Sequence, residues 1–174
     1  MAAGDISRDG EHLFVPEPAN SRLFRNALGS FTTGVAVVTV MGPDGPAGMT
    51  VNSFASISLD PPLVLWSPAK SSSRHGLFTG AEHYAIHVLS AEQGELSNRF
   101  TRGGAGFDKF AWTLNDEGVP VIPGTLARFE CVRSNLHDAG DHSLVIGKVL
   151  RAAHREGEPL CFSRGSFGRF AHKV

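Results

Sequence analysis

Apolar positions change their spacing several times along the chain, and those changes mark out the elements. The first sixteen or so residues are polar without a period, which predicts a mobile tail over 1–19 and an ordered domain over 20–174. Asn20 and Ser21 offer an N-cap, and Leu23, Phe24, Ala27, Leu28 and Phe31 then share one helical face. Gly29 and Gly34 mark the end of that helix. Residues 35–41 are β-branched, too short and too valine-rich to prefer helix, and predict a strand. The turn over 42–48 contains the hairpin dipeptide Asp44-Gly45. A second strand follows over 49–59, where Ile57 and Leu59 alternate with Ser56 and Ser58. Asp60-Pro61-Pro62 stops it, because proline donates nothing to a ladder. Residues 63–67 form a third strand.

Residues 70–80 read as a loop or short helix, and 84–89 as a fourth strand. Ser90 to Gln93 forms a capping box into a helix with Leu96 and Phe100 on one face. A glycine-rich loop spans 102–107, and the chain is irregular to Gly124. Residues 126–132 and 143–153 read as longer strands flanking a polar turn at 137–142, and 160–162 as a last short one. Six or seven strands thus stand against two helices, with turns rather than crossover helices between successive strands. That argues against a doubly wound sheet. It predicts a mainly β fold, an antiparallel six-stranded Greek-key barrel with a few peripheral helices.

Composition narrows the function more than the fold. A 174-residue chain buries enough surface to stand without disulfides or metals. No run approaches 18 apolar residues, and charges interrupt the place of a signal h-region, so the expected location is the cytoplasm. Net charge is −1 with basic residues scattered singly, which excludes the footprint of a nucleic-acid binder. Cys131 and Cys161 stand outside any CxxC pair and read as small buried hydrophobes.

The chain carries no GxSxG, HExxH or P-loop motif, and no GxGxxG after a strand. Gly103-Gly-Ala-Gly106 lacks the Lys-Ser/Thr of a phosphate loop and reads as flexible. His137-Asp138 and Asp141-His142 allow three readings: a solvated turn, metal ligands, or a site role for His142. All four sit on one turn without a partner cluster, so no metal site is expected.

Residues 48–74 are the most informative. Seven serines (53, 56, 58, 67, 71, 72 and 73) are interleaved with apolar strand residues, alongside Thr50, Asn52, Lys70 and Arg74. One reading is a half-exposed sheet with a hydroxyl-rich outer face. The other notes that serine and asparagine are poor strand formers, so their donors are aimed at a partner. Lys70, Arg74 and the serines between them suit a phosphate. A ligand with a polar edge, a flat middle and a phosphorylated end would use all of these, and flavin mononucleotide has that form.

Thr33-Gly34-Val35-Ala-Val-Val-Thr39, Gly48-Met-Thr-x-Asn-Ser-Phe-x-Ser-x-Ser-Leu-Asp-Pro-Pro62, Gly140-Asp-His142 and Phe162-x-Arg-Gly165 occur in that order. Together they resemble the flavin reductase-like family with the FMN-binding split barrel, the reductase components of two-component monooxygenases. The resemblance runs from about Asn20 to Phe170. It implies a homodimer that passes a hydride from NADH or NADPH to FMN or FAD and supplies a separate monooxygenase. Carried over by position, Met49, Thr50, Asn52 and Ser53 would line the flavin ring and Ser56 its reactive face. Ser67, Lys70, Ser73 and Arg74 would hold the ribityl-phosphate, with Arg99 and Phe100 near the flavin tail. His142 would approach the nicotinamide as the catalytic side chain. The family commonly has tyrosine where Phe167 stands, so stacking there survives without a phenolic hydroxyl. The alternative is a non-catalytic flavin-binding barrel for storage, sensing or electron relay.

Overall fold

In the computed structural model, which describes residues 6–8, 11–101, 103 and 106–170, the valine run forms a strand covered on both faces. In chain order the elements are β1 (Ile6–Arg8), β2 (Glu11–Leu13), α1 (Ser21–Leu28), β3 (Thr33–Gly34), β4 (Ala36–Gly42), β5 (Gly45–Val51), β6 (Ala55–Leu59), β7 (Pro62–Trp66), α2 (His75–Gly80), β8 (His83–Val88), α3 (Gly94–Thr101), β9 (Thr113–Leu114), β10 (Pro120–Val121), β11 (Ala127–Ala139), β12 (His142–His154), β13 (Leu160–Ser163) and β14 (Ser166–Arg169). The fold is mainly β with few helices.

The main sheet has the order β5-β4-β8-β11-β12-β7-β6, and every neighbouring pair is antiparallel. A flat seven-stranded sheet would be roughly 29 Å wide between its outer strands. Yet those outer strands, β5 and β6, are joined by residues 52–54 alone, a link that reaches at most about 15 Å. The sheet must therefore curl enough to bring the end of β5 within that distance of the start of β6. Six antiparallel steps separate β5 from β6, so both run in the same direction, and the chain passes from one edge to the other without turning back. Seven segments appear where six strands were expected because the run expected over 49–59 breaks at 52–54 and counts twice.

The curl encloses Val38, Val40, Met49, Trp66, Tyr84, Ile86, Cys131 and Val145. A second cluster on the outer face of β4 packs Val35 and Val37 against Leu96 and Phe100 of α3, with Phe107 and Ile122. Alternate side chains of β4 thus enter different cores, which is why the strand reads as unbroken valine. His87 of β8 pairs in register with Val37 and is fully buried on that same outer face. Its Nδ1 lies 3.1 Å from the Val37 carbonyl, and its Nε2 accepts from the Ile122 N–H at 3.0 Å. Burial pulls its pKa down to about 4, so the ring is neutral with the proton on Nδ1.

Several boundaries differ from expectation. The polar turn expected over 137–142 shrinks to Gly140 and Asp141, because β11 and β12 pair out to Ala139 and His142. Residues 134–138 are exposed, so solvent on both faces removes the alternation that would have marked a strand. The segment expected as a tail carries the β1–β2 hairpin and a 3₁₀ turn at Pro18–Asn20. Helix α1 forms as its periodicity predicts, yet none of its residues is buried. The box at Ser90 is half realised: the Gln93 side chain accepts from the Ser90 N–H, and α3 itself begins at Gly94. Cys131 is buried and its thiol pushed up to about 12 by that burial, while Cys161 is half-buried.

Candidate functional site

Three of the functional candidates, Thr50, Asn52 and Phe167, gather beside the link between the sheet's outer strands. Residues 52–54 lie outside both ladders as the chain crosses from pairing with β4 to pairing with β7. Ser53 closes the seam: its Oγ accepts from the Ser67 N–H at 2.9 Å and lies 3.2 Å from the Ser67 carbonyl. Helix α3 lies over β5, and the Thr50 hydroxyl donates to the Ser97 carbonyl at 2.6 Å.

A cavity of about 300 Å³ opens beside this seam. Thr50, Val51 and Asn52 form one wall, Asn98 and Thr101 of α3 a second, and Phe162 and Phe167 a third. The two phenylalanine rings meet edge to face at 5.5 Å. Amide and hydroxyl groups on one side and aromatic faces on the other suit a flat heteroaromatic ligand with a polar edge. A broader groove of about 900 Å³ adjoins it, shares Asn52 and Phe162, and runs along α1 to Arg164.

Of the residues singled out in the sequence, Thr50, Asn52 and Phe167 meet in the cavity. Met49 instead points into the enclosed core. Phe100 is fully buried, its ring packed under Gly48 and against Phe107, so it shapes the wall from behind. Ser56 is exposed on β6, Ser73 is exposed before α2, and Ser67 is a tie within the seam. Arg99 is exposed on α3. Arg74 is committed to protein: its guanidinium donates to the carbonyls of Gly48 at 2.6 Å, Phe100 at 3.0 Å and Thr101 at 3.1 Å. It thereby fastens the end of α3 to β5, and burial lowers its pKa. Lys70 donates to the Gly140 carbonyl at 2.7 Å and pairs with Asp138.

His142 is half-exposed at the start of β12, with Nδ1 2.8 Å from Asp141 Oδ1. The segment after Ser67 runs beside it, since the Ser143 N–H donates to the Pro68 carbonyl and Ala69 bridges to His142. Two strand spacings, roughly 10 Å, thus separate Ser53 from the His142 turn. Asn98 and Thr101 escaped the sequence reading, although their i, i+3 spacing on α3 puts them on one face. Phe162 stood inside a motif already quoted and was missed as a cavity wall.

The fold and site together define a β protein built around a flat-ligand cavity at the seam of a curled antiparallel sheet. Residues 28–171 match the family model for the flavin reductase like domain. The chain belongs to that family. It is 70% identical over 97% of its length to FMN reductase (NADH) SmoA of Agrobacterium fabrum, of which 97% is covered. It is 37% identical over 91% of its length to HsaB of Rhodococcus jostii, the reductase subunit of a flavin-dependent monooxygenase, with 82% of that protein covered. Among solved structures, the NADH:FAD oxidoreductase SgcE6 of Streptomyces globisporus, in complex with NAD and FAD fragments, superposes with a TM-score of 0.84. That match is 39% identical and covers 91% of this chain and 98% of the other.

Proposed function

We propose that this chain is an NADH-dependent flavin reductase, active on FMN or FAD, that supplies reduced flavin to a separate monooxygenase. The observation that carries the reading is the cavity walled by Thr50 and Asn52 on one side and Phe162 and Phe167 on the other. The 70% identity to an NADH-dependent FMN reductase supports the choice of substrates. The six-stranded split barrel follows if β5 and β6 are the two halves of one strand. We take 20–174 as one such domain.

Flavin, when bound, accepts hydride from the nicotinamide, so the protein needs no nucleophile or metal of its own. What the chain supplies is orientation. Asn52, Asn98 and Thr50 present polar groups to the ring edge, and Phe167 packs on its face. Ser73, beside Arg74, and Arg99 on α3 are exposed and are the donors available to the phosphate end. His142 works from the nicotinamide side. With Nδ1 donating to Asp141, its Nε2 is left as the atom that accepts or relays a proton. Positioning donor and acceptor in near-attack geometry accounts for most of the rate.

The chain assembles as a homodimer in this reading. Leu28 and Phe31 at the end of α1 are 59% and 78% exposed, and Leu59 on edge strand β6 is 95% exposed. A monomer gains nothing by holding such side chains in water. Sedimentation, flavin titration and an NADH-oxidation assay together test both points. A dimer that binds FMN and oxidises NADH supports the reading. A dimer that binds FMN tightly without oxidising NADH is the storage or relay protein instead.

A further inference from the structure

We propose that Lys70 is a positioning residue for the turn that carries His142, and not a ligand for the flavin phosphate. The inference rests on the nicotinamide-side role given to His142 above. Lys70 grips both ends of the Gly140–Asp141 turn. Its backbone N–H donates to the Asp141 carbonyl at 2.8 Å. Its Nζ donates to the Gly140 carbonyl at 2.7 Å and to the Asp138 carboxylate. Gly140 stands at φ +67, a left-handed position that favours glycine and lets a two-residue turn close.

An ammonium group has three protons, and two are spent on this turn. One proton is left over, so a phosphate would have to share the ammonium group with Asp138 and Gly140. The ion pair is exposed, so it adds little stability by itself. Its effect is geometric. Asp141, whose main chain Lys70 holds, is also the residue whose carboxylate fixes the His142 ring at 2.8 Å. The Lys70 side chain thus reaches His142 through the Gly140 carbonyl, the residue before Asp141 in the turn. On the far side, His75 Nε2 lies 3.0 Å from Ser143 Oγ, so the segment after His142 is anchored independently. Removing the lysine side chain keeps the backbone bond to Asp141 but frees the Gly140 carbonyl and Asp138, which loosens the turn while the strand stays in place.

The test compares Lys70→Met, Lys70→Arg, Asp138→Asn, His142→Ala and the Lys70→Met/His142→Ala pair. Each is measured for FMN affinity by flavin fluorescence quenching and for kcat and KM with NADH. Lys70→Met should raise the KM for NADH about tenfold and leave the FMN Kd within about twofold, with Lys70→Arg recovering most of the loss. Added to His142→Ala, it should cost no more than about a further twofold. An FMN Kd raised about tenfold with NADH kinetics intact would make Lys70 a phosphate ligand and overturn the proposal. Fully multiplicative losses in the pair would also overturn it. Wild-type NADH kinetics in His142→Ala would instead sink the reading of His142, and the positioning role with it. If Lys70→Met does not fold, Asp138→Asn must still raise the KM for NADH, since it leaves the lysine charge in place; an unchanged KM there rejects the proposal.

Discussion

Gly48 and Phe100 occupy one space: a Cβ on Gly48 would lie 2.4 Å from Cδ1 of the Phe100 ring. Phe100 is fully buried, and its carbonyl shares the Arg74 guanidinium with that of Gly48. This close approach sets how near α3 comes to β5, and hence the width of the cavity between Thr50 and Asn98. Gly48→Ala should therefore destabilise the fold by about 1–3 kcal/mol, the usual cost of overpacking a core. Phe100→Leu in the same chain should recover part of that. Urea unfolding of the single and double variants checks it; a neutral Gly48→Ala would mean that α3 is loosely held.

Acid should weaken the fold through His87. An unfolded histidine titrates near ~6.5, whereas the folded His87 titrates at about 4. The fold favours the neutral ring, so its contribution is complete above the unfolded value and drains away as pH falls toward the folded one. Between pH 7 and pH 5 the loss is about 2 kcal/mol. His87→Gln should be less stable at neutral pH but show a flatter decline between those two pH values. An unchanged slope would show that carboxylates, not His87, govern the acid side.

Replacing His142 with alanine should raise the KM for NADH more than it lowers kcat, because the ring orients the nicotinamide without carrying the hydride. A fall in kcat of about 10³ with binding intact would make His142 an essential acid.

At Phe167, alanine should weaken FMN binding about fivefold, in keeping with the ~1 kcal/mol scale of an aromatic contact. Tyrosine at the same position should leave affinity within about twofold, since the ring is already 43% exposed and a hydroxyl can reach water. A gain of tenfold or more with tyrosine would show that a missing phenolic hydroxyl limits this chain.

The sequence reading reached the strands wherever one face of a strand met water or both faces met core. The valines of β4 are the example; β6 was legible from the Ile57/Leu59 alternation although both side chains are exposed. The reading failed where neither condition held. Residues 134–138 lie in a hairpin arm exposed on both sides, so polarity there looked like a turn. The break at 52–54 was invisible because the chain keeps its direction across the seam, and only the pairing partner changes. Within the site, Thr50 and Asn52 were legible as polar side chains at the end of a strand. The commitment of Arg74 and Lys70 to carbonyls was not, because a cation's partner in the fold leaves no mark on local sequence. Asn98 and Thr101 became visible only once α3 was seen to lie across β5.

The central claim is that this protein carries hydride from NADH to flavin. The most direct measurement is the anaerobic reaction of NADH with FMN in the presence of the purified protein, following both absorbances together. The account predicts that one NADH disappears for each FMN bleached, at a rate that rises with protein concentration. FMN that binds yet keeps its colour while NADH remains would contradict it, and would leave a flavin-binding barrel without the reductase activity.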